Sequence, residues 1–263
     1  MHPVRELLDA RELLRNLTIR ELKVRYKRSA LGFLWTLLNP LLMMAVFTAV
    51  FSTFFKGMLS WFPIYFLTGY LPFAFFQASA TVATGSIVGN GNLIRKVYFP
   101  RSVLPLSVVL AQLVHLLLGL GVLVVAETII YIGWDRSFDW WWYLPLLVVA
   151  IALLTIFTAG LAMLLAAANT FLRDIQEFTT VAFLMWFYAT PVIYPLDQLP
   201  GWVQTLIKLN PMTHFVEFFR DSLYSTSLPT WSTLMAGVGS ALGMFVLGWL
   251  TFSRLSRDFA KEV

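Results

Sequence analysis

Polar and apolar positions along this chain are segregated into long blocks. After a charged opening that ends at Arg28, no charged residue occurs from Ser29 to Phe55, from Gly57 to Ile94, or from Ser102 to Ala126. A bilayer core about 30 Å thick needs roughly 20 apolar helical residues to cross it. The blocks therefore predict transmembrane helices over about 29–55, 64–88, 102–133, 144–168, 178–194 and 234–252. Between the second and third lies a short basic island, Asn92-Leu-Ile-Arg-Lys-Val-Tyr-Phe-Pro-Arg101. Asn92 is placed to cap a helix running to about Phe99, and Pro100 ends it. The island reads either as an ordinary turn at one membrane face or as a docking helix for a cytoplasmic partner.

Two further stretches have helical periodicity without the length to cross. Residues 3–17 place Val4, Leu7, Leu8, Leu14 and Leu17 near one face, the pattern of a helix lying in the membrane interface. The run Arg20 to Arg28 that follows is a basic approach, suited to anionic headgroups. Residues 195–229 are too regular for a plain loop. Leu199, Trp202, Val203, Leu206 and Ile207 share one stripe, and Phe215, Phe218, Phe219, Ser222 and Leu223 share another. Asn210 caps and Pro211 takes the first helical position between them. Two such one-sided helices predict a re-entrant hairpin on the external side. Within the first span, Asn39-Pro40 predicts a kink or a broken first turn.

Composition narrows the class. Only 13% of the 263 residues are charged and 59% are hydrophobic; a soluble domain carries roughly 25% charged residues. With no Cys, disulfide frameworks and thiolate metal sites are excluded. The opening has no apolar core and is no secretory signal peptide. Lys and Arg distribute unevenly: eight in the N-terminal segment, three in the 92–101 loop, one in the 169–177 turn and three in the tail. Only Lys56, Arg136, Lys208 and Arg220 fall on the other side. The positive-inside rule then gives six spans with both termini cytoplasmic. The predicted organisation is an all-α polytopic membrane protein: a cytoplasmic interfacial segment at 1–28, a six-helix domain at 29–253 and a cytoplasmic tail at 254–263. No Gly-x-x-x-x-Gly-Lys-Ser/Thr phosphate loop occurs, so any nucleotide-driven step needs another chain.

Five motifs carry a resemblance. Arg25-Tyr-Lys-Arg-Ser-Ala-Leu-Gly-Phe-Leu-Trp35 followed by Pro40, the island with Leu104-Pro105, Phe171-Leu-Arg-Asp174, Thr190-Pro-Val-Ile-Tyr194 and Asn210-Pro211 stand in order along the chain. Together they resemble the permease subunits of type-2 ABC exporters of the polysaccharide and polyol-phosphate branch, over about residues 20–253. The resemblance implies a homodimer in the bacterial plasma membrane and two copies of a cytoplasmic ATP-binding subunit that hold the ATP and Mg. It implies a cargo of lipid-linked glycan or polyol-phosphate polymer, of the O-antigen, capsule or teichoic acid kind. No cofactor is expected in this chain, and no nucleic acid partner.

The resemblance also distributes roles. Asn92, Leu93, Arg95, Lys96, Tyr98, Phe99 and Arg101 become the ATPase-coupling helix. Arg25, Tyr26, Arg28, Trp35, Pro40, Arg173 and Asp174 become the cytoplasmic entrance. With spans one and five lining the path, Phe47, Phe51, Trp186 and Tyr188 become conduit aromatics that stack on sugar rings; the plainer reading of each is packing against neighbours. An outer closure is required if a polymer is to leave without ion leakage, and Pro191, Tyr194, Trp202, Pro211, Phe215 and Phe218 are its candidates. His214, Glu217 and Asp221 read as solvated caps, with Arg220 as a neighbour for Glu217. A permease for another amphipathic substrate, lipid or drug, is the alternative. An ATP-independent transporter or channel would want mid-membrane charges or internal repeats, where Glu127 is the one marginal case. A membrane enzyme would want clustered His, Asp or Glu, but the histidines stand apart at 2, 115 and 214.

Overall fold

The apolar blocks fold as helices, and no strand occurs among the described residues of the computed structural model, which are 10–26, 34–54, 61–134 and 140–262. In chain order the helices are α1 (Arg11–Tyr26), α2 (Leu34–Phe54), α3 (Phe62–Thr84), α4 (Gly91–Lys96), α5 (Val103–Trp134), α6 (Leu144–Phe171), α7 (Ile175–Tyr188), α8 (Gly201–Lys208), α9 (Pro211–Leu223), α10 (Trp231–Leu255) and α11 (Phe259–Glu262). Four of them, α2, α5, α6 and α10, are long and apolar enough to cross a membrane, and α3 with the bent segment after it makes a fifth. The chain is a multi-pass membrane protein.

α7 differs from its prediction. It stops at Tyr188, short of Tyr194, and its 14 residues span about 21 Å, less than a bilayer core. Pro191 supplies no N–H and disfavours helical backbone at Thr190. The Thr190 hydroxyl turns back to the Trp186 carbonyl at 2.8 Å, satisfying a group that the helix end would otherwise orphan. α2, in contrast, runs on through Pro40 as one helix.

α3 is the hub. It packs against α2, α5, α6, α7 and α9, and its Phe66, Phe73 and Phe76 are fully buried with Phe157 of α6 and Phe215, Phe218 and Phe219 of α9. Between membrane-spanning helices there is no hydrophobic drive, so these rings hold the bundle by close packing. The most extensive helix pair is α6 with α10. There the backbones touch: a Cβ added to Gly248 would lie 1.9 Å from the Gly160 carbonyl oxygen, so only glycine fits.

A second apolar cluster closes the end of the bundle where α3, α5 and α6 meet the basic island. Leu17 of α1, Ile87, Ile94, Phe99, Met163, Ala166, Ala167, Phe252 and Phe259 are buried in it. α1 extends through Tyr26, across residues predicted as a bare basic approach; Arg, Glu and Lys are good helix formers. Its Leu17 is buried against protein, with Leu13 and Leu14 packed beside it. The predicted residues 3–9 of that helix lie outside the described residues. The tail also departs from a free end: α11 packs back on α4 and α6.

Within the predicted external hairpin at about 196–224, two helices form, Gly201–Lys208 and Pro211–Leu223, with Asn210 capping the second through Oδ1 on the Met212 amide at 3.0 Å. Burial divides the pair. α9 sits in the core between α3, α6 and α10, whereas Trp202, Leu206 and Leu209 of the α8 side are exposed.

Candidate functional site

Two constructions stand at opposite ends of the bundle, and each begins where a helix is forced to stop. At the first, α3 ends at Thr84 and the chain turns by 51° before α4. The Thr84 carbonyl, past the last helical donor, accepts the buried Asn169 amide at 3.0 Å. Asn90, not Asn92, is the structural amide of the island: its Nδ2 donates to the Ser86 carbonyl at 2.8 Å and its Oδ1 accepts Arg20 of α1 at 3.0 Å. α4 correspondingly starts two residues earlier than a helix capped by Asn92 and ends three residues short of Phe99, covering Gly91 to Lys96. Val97 is extended (φ −132°, ψ 134°), and Val97 to Pro100 carry no regular secondary structure.

This geometry sorts the island's side chains. Ile94 and Phe99 turn inward to the second cluster, with Leu93 packed at its edge. Asn92, Arg95 and Lys96 are exposed, Arg101 is half-buried, and Tyr98 is 95% exposed. The result is a rigidly seated knob with two cations and one aromatic ring outward. A tyrosine held bare beside Arg95 matches the aromatic and arginine enrichment of contact patches between proteins. Arg173 and Asp174 are exposed in the turn between α6 and α7, on the same side. Arg25 and Tyr26 end α1, and Arg28 lies outside the described residues.

At the other end, the stop of α7 is tied to α9 by one side chain. Asn210 caps α9 and also accepts the Trp186 indole N–H at 2.7 Å on Oδ1. Its Nδ2 donates to the Ala189 carbonyl at 3.1 Å and to the Thr190 hydroxyl at 2.9 Å. Tyr194 donates to the Tyr188 carbonyl, and Tyr65 of α3 donates to the Tyr194 carbonyl, both at 2.9 Å. Pro191 is buried, and Pro211 is partly buried at the head of α9.

Arg220 was missed. Read as an external charge beside Glu217, it is 8% exposed and faces inward. Its Nη2 donates to the Val192 carbonyl at 2.8 Å, and its guanidinium lies 3.8 Å from the centre of the Tyr65 ring. Gly69 makes room: a Cβ there would stand 3.0 Å from the guanidinium. Burial lowers the Arg220 pKa from its ordinary value, opposed first by Tyr65 and then by Glu217. The signal was available in the spacing, because Thr213, Val216, Arg220 and Leu223 fall on one helical face and all are buried. On the same helix, burial pushes Asp221 up to about 6.

The predicted conduit aromatics separate. Phe47 stacks on Phe66 at 4.6 Å and Phe51 on Phe62 at 6.3 Å, so both pack toward α3. Trp186 meets Phe76 edge-on at 5.0 Å. Tyr188 alone of the four is largely exposed. Trp35 is half-exposed near the start of α2, with Pro40 one turn on.

The chain is 34% identical over 262 residues to an O-antigen export system permease protein of Myxococcus xanthus, covering 99% of this chain and 98% of that one. It is 31% identical to the O-antigen export permease of Klebsiella pneumoniae over 95% of this chain and 94% of that one. A capsule polysaccharide export inner-membrane protein of Neisseria meningitidis is 26% identical, over 95% and 94%. Residues 12–224, which include both constructions, match the ABC-2 type transporter family. The chain belongs to that family.

Proposed function

We propose that this chain is the transmembrane subunit of an exporter that moves a lipid-linked polysaccharide across the bacterial inner membrane, driven by a separate ATP-binding subunit. The observation that carries the reading is the end-to-end similarity to O-antigen export permeases, with no phosphate loop in this chain to hold a nucleotide. The names of the relatives favour a glycan over a polyol-phosphate chain.

In this reading two copies of the chain enclose the path and two ATPase subunits dock on the cytoplasmic side, holding the ATP and Mg. α4 is the coupling helix, with Tyr98, Arg95 and Lys96 as the docking surface and Phe99 as its anchor. α7, continued by Thr190 to Tyr194, completes a sixth crossing, so that both termini are cytoplasmic and α8 and α9 are external. The hairpin is the outer gate, its joint at Asn210-Pro211 latched to the end of α7. Arg220 holds α9 to α3, so tilting at the joint moves α8 against a fixed α9. The exposed Trp202, Leu206 and Leu209 then meet the second copy or the outer leaflet.

Depleting this protein in the cells that make it should leave lipid-linked polymer inside and clear it from the surface; unchanged surface polymer would overturn the reading. Cysteine at Ser225 should label from outside, and cysteine at Ser253 only after permeabilisation. The reverse pattern would refute the topology while leaving the transport reading open.

A further inference from the structure

A cavity of ≈ 480 Å³ opens between the first turns of α2, the middle of α3 and α5. It is separate from the coupling knob and from the hairpin latch. Four nitrogen-bearing polar side chains line it, Asn39, Gln77, Gln112 and His115, together with the rings of Trp35 and Tyr70. His115 Nδ1 and Gln112 Oε1 are 3.2 Å apart, which orients both on the α5 wall. The side-chain amides of Asn39 and Gln77 make no hydrogen bond among the described residues. Asn39 is exposed and Gln77 half-buried, so both amides are open to a bound group. Among the described residues no Asp, Glu, Lys or Arg lines the cavity.

That donor set selects by chemistry. The described lining offers neither a cation to pair with a phosphate nor a carboxylate as a hard metal ligand. Amides and an imidazole both donate and accept, as hydroxyl groups do, and flat rings suit the C–H faces of sugars. The cavity is large enough for a small-molecule-sized group. We infer that it is a binding subsite for a neutral, hydroxyl-rich glycan segment, held within each subunit between α2, α3 and α5. The inference rests on the polysaccharide-export reading and deepens it. The subsite sits toward the end of α2 that follows the basic segment, on the entry side of the path. Trp35 is its outer wall, and Asn39 and Gln77 supply the hydrogen bonds.

A benzophenone amino acid placed at Ala78 or Thr81, both in the cavity wall, tests this in the assembled exporter in cells making their own polymer. Val125, exposed on the outward side of α5, and Tyr188 serve as comparison positions. Ultraviolet light should yield glycan-bearing adducts at 78 and 81 and none at 125. An Asn39→Leu, Gln77→Leu double variant should insert normally, keep basal ATP hydrolysis and lower export about tenfold. Adducts to lipid alone at 78 and 81, with glycan adducts at 188, would overturn the subsite and leave the export reading standing. Full export in the double variant would also overturn it. Glycan at none of the positions, with surface polymer unchanged on depletion, would sink the export reading itself.

Discussion

Replacing Gly248 by Ala adds one carbon at the tightest point in the bundle. That carbon would lie 1.9 Å from the Gly160 carbonyl oxygen, 2.6 Å from its carbon and 2.9 Å from its Cα. These are backbone atoms, so no side chain can swing away. Ordinary contact begins near 3.4 Å, so α6 and α10 must separate by roughly 1.5 Å. A gap of 0.5–1 Å already forfeits about a quarter to a half of a dispersion contact. Overpacking usually costs about 1–3 kcal/mol, and a rigid backbone clash belongs at or above the top of that range. Gly243→Ala, on the same helix with open space around its Cβ, should be neutral or slightly stabilising through helix propensity. Thermal unfolding of the two purified variants in one detergent compares them directly. Equal stability of Gly248→Ala and Gly243→Ala would refute the claim that the two backbones touch.

At the island, Tyr98→Ala should leave stability within about 0.5 kcal/mol, because the ring is bare, and on the proposed coupling role it should abolish copurification with an ATPase subunit. Phe99→Ala should instead destabilise by about 3 kcal/mol, and the opposite assignment of the two effects in unfolding and pull-down assays would reverse their roles. Arg220→Met should destabilise by about 2 kcal/mol through the lost Val192 bond and ring contact, and Arg220→Lys should not restore it, since an ammonium cannot lie flat on Tyr65 while reaching that carbonyl. Full stability of the lysine variant would show that the planar group is dispensable. Asp221 titrates near 6, above its ordinary 3.8, so its contribution is fully present below about pH 4 and is lost as pH rises through about 6. Asp221→Asn should therefore raise the unfolding temperature relative to the parent at about pH 7.5 more than at about pH 5; an equal difference at both would count against burial of that carboxyl.

Apolar helices of crossing length were legible because length and lack of charge are properties of single segments. The start of α9 was legible for the same reason: Asn210 and Pro211 act on their immediate neighbours. The end of α7 and the role of Arg220 were not, because Arg220 answers a carbonyl 28 residues away. Within spans that are apolar all round, composition gives no face, and so the contacts of Phe47 and Phe51 with α3 could not be read from the sequence. Phe99 and Tyr98 are adjacent and similar in sequence; the helix ends at Lys96, and in the irregular stretch after it one ring turns in and the other out. Asn90 was overlooked beside Asn92 because its partners, Ser86 and Arg20, come from the turn and from α1.

The short helix α11 gives the molecule an order of assembly. Phe259 is fully buried, edge-on to Phe252 at 5.2 Å and tilted on Phe171 at 6.0 Å, and it belongs to the cluster that seats the island. It is synthesised after every apolar helix has been made. While the ribosome is still delivering α10, the hole that Phe259 fills is open and the floor beneath α4 is incomplete. On the proposed reading, the surface that a cytoplasmic motor would grip is thus the last part of the bundle to set. A nascent or truncated subunit would insert in the membrane without yet presenting a firm handle for that motor to grip.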